Sequence, residues 1–319
     1  MNQRLTFGED GTFTIVQFTD LHWKNGNEID RQSRALMELV LDKERPDLVV
    51  FTGDVIYTGP VPDGVAECED PAGALREAVA AVDERQIPWA LVFGNHDTEQ
   101  GITREELMRV VMEHPHALAV PGPKTLPGVG NYVMELVDAK GQPAANLYFL
   151  DSGSYSAHPH IPGYGWITRE QIQWLTAESS RLNPPEAADK TPALAFFHIP
   201  IPEYKEVWET QVCYGDKHEP VCCSQVNSGL FAAFVEMGDV MGTFCGHDHV
   251  NDYWGTLHGI RLCYGRASGY HTYGKEGFPR GARVIKLTAG TNSFETWLRL
   301  DDGSAVREQS VHQPEAPHR

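Results

Sequence analysis

Asp20-Leu21-His22, Gly53-Asp54, Gly94-Asn95-His96-Asp97, His198 and Gly246-His247-Asp248-His249 follow one another along a chain of 319 residues. Each stands at or just after the end of an apolar, strand-like run, so side chains as distant as residues 20 and 249 can meet at one sheet edge. Asp, Asn and His in this number suit a pair of borderline divalent or trivalent ions. Such a pair is a device for attacking phosphorus with a metal-bound hydroxide. A single Asp-x-His or Gly-Asp occurs by chance in most chains of this length, while Gly-Asn-His-Asp and Gly-His-Asp-His are rarer but could still be turns after strands. Five in order, each after an apolar run, are hard to obtain by accident.

The elements that must position them follow from the pattern. Segments 12–18, 46–54 and 88–97 have the Val, Ile and Phe content of strands. Helix-like segments 28–44, 71–86 and 103–114 come after them in turn. Strands alternating with helices imply right-handed crossovers and a largely parallel sheet. After Pro121 the texture changes. Segments 131–138 and 145–153 flank the turn residues Lys140-Gly141-Gln142 and predict a hairpin. A loop rich in Gly, Pro and Tyr spans 154–167, a helix is expected over 169–181, and a strand over 193–198. A helix near 229–236 leads into the run 240–249, and antiparallel strands are expected over 251–299. The order fits an α/β protein with two mixed sheets packed face to face and helices outside. No linker divides the chain, so one domain is expected over 1–311, with a disordered tail over 312–319.

Forty-four acidic against 26 basic residues give a net charge of −18, which argues against a basic surface for nucleic acid. It does not argue against a phosphorylated small molecule, because bound metals supply local positive charge. Many acids, such as Glu67, Glu69 and Asp70, are read as solvated loop charge. No stretch reaches the roughly 18 apolar residues of a membrane span. The first strand has no apolar signal core ahead of it, so a cytoplasmic protein is expected, or a secreted one if a leader was removed before this numbering. Of six cysteines, Cys245 and Cys263 lie in apolar runs and read as core thiols. Cys213, Cys222 and Cys223 crowd one polar segment with His218. A disulfide from Cys213 to Cys222 or Cys223, a zinc site and free thiols all stay open.

The motif set resembles the calcineurin-like metallophosphoesterase superfamily, which includes the purple acid phosphatases, over about residues 12–300. The segments 51–59 (FTGDVIYTG), 195–204 (AFFHIPIPEY), 246–255 (GHDHVNDYWG) and 268–284 (SGYHTYGKEGFPRGARV) are similar to the single-domain branch of plant purple acid phosphatases of the 28/29 type and fungal Dcr2-like phosphatases. The resemblance implies a four-layer α/β/β/α sandwich. It implies a dinuclear hydrolase of phosphate monoesters or diesters, with Mn, Fe or Zn as cofactors. Its alternative is a catalytically inactive scaffold of the same fold that binds other proteins.

Position by position, the resemblance assigns Asp20, His22 and His249 to a first ion and Asn95, His198 and His247 to a second. Asp54 would bridge them, and a bridging carboxylate keeps two cations about 3.5–4 Å apart. His96 would protonate the leaving-group oxygen, a role suited to a side chain that titrates near neutrality. Asp97 or Asp20 would orient it. One departure matters. Gly53-Asp54-Val55-Ile56-Tyr57 matches the purple enzymes, whose tyrosine binds iron(III), yet those enzymes lack the histidine found here at His22. His22 is therefore favoured as ligand, with Tyr57 as a packing or supporting residue. Specificity is expected in Tyr155, His158, His160, Tyr164, Tyr204, the 213–223 segment, and Tyr270, His271 and Tyr273. Arg266 and Lys275 are the nearest cations to the motifs.

Overall fold

The computed structural model describes residues 5–62, 65–184 and 189–314. In chain order, β1 (Leu5–Thr6) and β2 (Thr12–Phe18) precede α1 (Glu28–Glu44), and β3 (Leu48–Thr52) precedes α2 (Pro71–Asp83). β4 (Trp89–Val92) passes through a 3-10 turn (His96–Thr98) into α3 (Arg104–Val111). β5 (Tyr132–Val137) and β6 (Pro143–Phe149) form the expected hairpin. They are followed by α4 (Arg169–Leu182), β7 (Ala193–Phe196), α5 (Glu203–Thr210), β8 (Cys213–Tyr214), α6 (Leu230–Met237) and β9 (Val240–Cys245). The chain ends in β10 (Trp254–Leu257), β11 (Ile260–Tyr264), β12 (Gly281–Thr288), β13 (Phe294–Leu300), β14 (Ala305–Val306) and β15 (Val311–His312).

The strands form two mixed sheets. One has six strands in the order β14-β13-β12-β2-β3-β4, and the other has nine in the order β1-β5-β6-β7-β9-β11-β10-β8-β15. β2, β3 and β4 run parallel, as do β6, β7, β9 and β11. The period of two decides what lies between the sheets. Leu194 and Phe196 of β7 join the cluster that holds Phe13, Ile15, Val49 and Leu91 of the six-stranded sheet. Ala193 and Ala195 join a second cluster with residues of α4, α5 and α6. The Tyr132 hydroxyl of β5 donates to the Leu91 carbonyl of β4 at 2.7 Å and ties the sheets together.

On the outer face of the six-stranded sheet lie α1, α2 and α3. α1 buries Leu36, Met37, Val40 and Leu41 on one stripe. Its start is fixed by Asn27, whose side chain accepts from the Ile29 and Asp30 amides while Asp30 accepts from the Asn27 amide. The result is the expected α/β/β/α order of layers.

Several expectations need correction. α5 lies where only a loop was expected, and it carries Tyr204 and Val207 into the second cluster. Tyr204 is fully buried and is therefore no substrate contact. The run 88–97 stays extended only to Val92 before it turns. β11 pairs with β9 in parallel, although its other partner β10 is antiparallel. His312 is not in a disordered tail: it pairs with Cys213 in β15 and stacks on Trp208 with ring centroids 3.7 Å apart. Residues 315–319 lie outside the described residues. All six cysteines are free thiols, so no disulfide joins Cys213 to Cys222 or Cys223. Among the described residues no helix is long and apolar enough to cross a membrane.

Candidate metal centre

The carboxyl ends of β2, β3 and β4 deliver Asp20 with His22, Asp54 and Asn95 from one sheet. β7 and β9, neighbours in the other, deliver His198 and then His247 with His249. Two loops beside each other make the first half rigid. Asp20 N–H donates to the Gly53 carbonyl at 3.1 Å and His22 N–H to the Asp54 carbonyl at 2.9 Å. The sheets are joined just below, where the buried Gln17 amide donates to Thr52 Oγ1 at 2.8 Å and to the Cys245 carbonyl at 3.0 Å.

The backbone itself is unusual here. Asp20, His22, Asp54 and His247 have φ of 54°, 51°, 50° and 78°. They are four of the seven described non-glycine residues in the left-handed region. Asp, Asn and His tolerate that region better than most, though it still costs on the order of 1–2 kcal/mol per residue. Such strain gathers where a structure must aim a side chain. The motif glycines serve the same crowding. At Gly53, where φ is 90°, a Cβ would land in the His198 ring, and at Gly94 it would fall into the Asp54 carboxylate.

Seven side chains converge as two groups: Asp20, His22, Asp54 and His249, and Asp54, His198 and His247 with Asn95 alongside. All are buried. Asp54 Oδ2 belongs to both groups. It lies 3.5 Å from His22 Nε2 and 3.2 Å from His198 Nε2. Yet neither it nor His22 Nε2 has a hydrogen-bond partner. His198 Nε2 also lies 3.2 Å from Asn95 Oδ1 and from His247 Nδ1, and Asp20 Oδ1 lies 3.5 Å from His249 Nε2. Donor atoms held at roughly 2.1 Å from one ion stand about 3–3.4 Å apart, so this spacing fits a pair of shared cations. Three of the remaining groups are already committed. His198 Nδ1 donates to the Thr52 carbonyl at 2.8 Å, which leaves Nε2 free as a ligand. Asp54 Oδ1 accepts the His96 amide at 2.7 Å, and the His247 amide donates to Asp20 Oδ2 at 3.0 Å.

Burial and charge pull against each other among these side chains. Burial penalises the Asp20 anion, but His249 and His198 draw its carboxyl down to about 2. Burial would likewise lower His198, but the Asp54 carboxylate more than offsets it and raises the imidazole to about 9. Asp54 itself is held well below the usual carboxylate range by His198 and His22, despite burial. His247 is pushed down to about 3 by burial and by the charge on His198, which Asp54 and Asp20 do not offset.

The expected partner of His96 is corrected. Asp97 accepts the amides of Asp54, Ile56 and Gly94 at 3.0, 2.9 and 2.7 Å, so its carboxylate is spent on the backbone of the ligand loops. Asp20 faces His249 and His247. Glu99 takes the place instead, with its Oε2 2.8 Å from His96 Nδ1. A sequence signal existed: residues three apart eclipse one another in a 3-10 turn, and His96–Thr98 is one.

Tyr57 stacks on His22 with centroids 5.1 Å apart and turns its hydroxyl to the Pro60 carbonyl at 3.0 Å. Of the expected specificity residues, three reach the centre. The Tyr164 ring meets His247 edge-on at 4.4 Å, the Tyr273 ring lies 4.2 Å from His249, and the Tyr155 hydroxyl stands 3.5 Å from Asn95 Nδ2. His158 stacks on Trp166, Tyr270 donates to Asp301, and His271 lies against Asp30 and Asn27. Arg266 is no phosphate ligand: its guanidinium is buried, pairs with Asp252 and donates to the Pro279 carbonyl.

Two supporting residues went unread in the sequence. Arg104 pairs with Asp151 and donates to the Gly94 and Gly153 carbonyls at 2.9 and 2.8 Å. It thereby ties the Gly94–Asp97 motif to the base of the 154–167 loop. Asp248 accepts the Tyr264 hydroxyl at 2.6 Å and the Cys222 amide at 3.2 Å, which anchors the cysteine-rich segment beside the ligands.

Comparison with known proteins gives the chain a family. Residues 13–251 match the model of the family described as calcineurin-like phosphoesterase. A protein of Arabidopsis thaliana named "Probable inactive purple acid phosphatase 29" is 36% identical over 94% of this chain and 85% of its own length. The phosphatase DCR2 of Saccharomyces cerevisiae is 35% identical over 94% of this chain and 55% of its own. Among solved structures, a dimetal phosphatase from Danio rerio superposes with a TM-score of 0.61 at 14% identity, covering 94% of this chain and 98% of its own. That likeness speaks for the fold.

Proposed function

The chain belongs to the calcineurin-like phosphoesterase family, and from that premise we infer that it is a dinuclear metal hydrolase of small-molecule phosphate esters. The observation that carries this reading is Asp54 Oδ2. A buried carboxylate oxygen shared by two clusters of ligand atoms, without a hydrogen bond of its own, is costly unless cations lie against it. In this reading Asp20, His22 and His249 would hold one ion, Asn95, His198 and His247 the other, and Asp54 would reach both. Manganese, iron and zinc all suit such a donor set. The core cluster that spans both sheets supports treating residues 1–311 as one unit.

When bound, the ions polarise the phosphoryl oxygens and lower the pKa of the attacking water. The chain's own residues do the rest. His96, only partly exposed at the site, gives a proton to the leaving-group oxygen, and its amide holds Asp54 in place. Asp97 fixes the ligand loops through three backbone amides. Tyr155, Tyr164 and Tyr273 offer aromatic edges to the alcohol part of the ester. Arg104 and Arg266 are both committed to carboxylates, so neither is free for a phosphate. With those two cations spent, diesters stand beside monoesters as candidate substrates.

The rival reading is a scaffold without catalysis, and the word "inactive" in the plant relative's name favours it. A complete ligand set and a partnered His96 favour hydrolysis. The deciding experiment measures metal content, then turnover of a panel of monoesters and diesters with manganese, iron and zinc. Two ions per chain and ester hydrolysis are expected, both lost in Asp54→Asn. Two bound ions with no turnover of any ester would leave the scaffold standing. Full metal and activity in Asp54→Asn would refute the assignment.

A further inference from the structure

Glu99 does more than touch His96. Its second oxygen, Oε1, accepts the Tyr155 hydroxyl at 2.5 Å, so both carboxylate oxygens are engaged. Its amide donates to Thr58 Oγ1 at 2.8 Å, and the same hydroxyl donates to the His96 carbonyl at 2.9 Å. Glu99 is thus pinned to the turn that carries His96. Gly59 lies directly against Oε2, where any Cβ would overlap it. Tyr155 in turn bridges to Tyr164 across the 154–167 loop, with their rings stacked at 5.8 Å, and Tyr164 rests on His247. One unbroken line of contacts therefore joins the proton-donor histidine, through Glu99 and Tyr155, to the loop above the second group of ligands.

We propose that Glu99 and Tyr155 are positioning residues for His96, so that proton donation is tied to the seating of the 154–167 loop. This rests on the reading of His96 as the donor. With Nδ1 held on Glu99, the transferred proton leaves from Nε2. As the P–O bond breaks, its electrons stay on the leaving oxygen, which takes that proton. Nε2 keeps the electron pair and regains a proton from water. A carboxylate behind a histidine fixes the ring's direction and supports its charge. Glu99 could swing toward solvent if only His96 held it. The Tyr155 hydroxyl closes that route from a residue 51% exposed at the mouth.

The test compares Glu99→Gln and Tyr155→Phe on alkyl and nitrophenyl phosphate esters, with metal content measured in each variant. Both variants should keep two ions. Glu99→Gln should lower kcat on alkyl esters by about 10–100-fold, the usual effect of removing such a partner. KM should hardly move, and nitrophenyl esters, which depart without a proton, should be little affected. Tyr155→Phe should act in the same direction and less strongly. In a His96→Ala background neither change should cost more, because the residues act as one unit. Side-chain nitrogen NMR of the zinc-loaded protein gives a readout without turnover: the His96 Nδ1 signal should shift in Glu99→Gln. If the wild-type protein hydrolyses no ester, the parent reading fails, and the NMR still decides whether Glu99 holds the ring. Equal losses on both ester types, a further loss on top of His96→Ala, loss of metal, or an unmoved His96 signal would each overturn the proposal.

Discussion

His198 would change character if an ion bound it. Without one, Asp54 holds its imidazole charged up to about pH 9, against an ordinary value of 6.5. A histidine whose folded pKa is raised stabilises the fold fully below 6.5, and that contribution disappears as pH climbs through 9. The metal-free protein should therefore lose stability across that window, as denaturant titrations at several pH values would show. An ion must displace the same proton from Nε2. Metal affinity should rise with pH up to about 9, and calorimetry in buffers of different ionisation heat should detect proton release at neutrality. No proton release would place His198 outside the ligand set. Tyr57 gives a second prediction. Its hydroxyl faces Pro60, so Tyr57→Phe should keep the metal content and change no visible absorption. A violet or purple band that vanishes in this variant would make Tyr57 the ligand.

The residues that converge in the two candidate metal groups were legible because each follows an apolar run, where strand ends must lie. Their partners were not, because partner choice depends on backbone geometry. Asp97 follows His96 directly, which suggested a pair, but the left-handed turn at Asp54 presents amides to Asp97 first.

At the scale of elements, most helices were legible from segment pattern, and three of them prove to start in caps. Asn27 with Asp30, Thr103 with Glu106 and Thr168 with Gln171 are all complete capping boxes. α5 was missed because Pro202 stands at its start without a side-chain cap and only eight residues follow. The spacing of Tyr204, Val207 and Trp208 carried the helical signal, since residues three and four apart share a face. Asn27→Ala should lower stability by about 1 kcal/mol in chemical denaturation and leave metal content unchanged, because the cap lies outside the ligand groups. A loss of metal in that variant would mean that α1 holds the Asp20–His22 loop more directly than its contacts suggest.

For the whole molecule, the two sheets were foreseeable from the alternation of strands and helices, whereas the pairing of β11 with β9 came from tertiary packing that no local pattern records. Each ion would bind ligands from both sheets, so metal should act as a clamp between them. Raising free metal to a hundred times its Kd should add about 2.7 kcal/mol to stability. Calorimetric scans should show Tm climbing with metal and dropping with chelator, and Asp54→Asn should abolish the response. A Tm indifferent to metal in the wild-type protein would deny the clamp. The division of ligands between sheets also sets a clock. A ribosome working at about 5–20 residues per second needs roughly ten to fifty seconds to travel from Asp20 to His249. Throughout that time both half-sites wait for one late motif, Gly246–His249, which supplies a histidine to each. The growing chain thus could not seize an ion tightly until nine of the fifteen described strands, β1 to β9, had been made, so metal would be chosen late in synthesis from whatever the surroundings then hold.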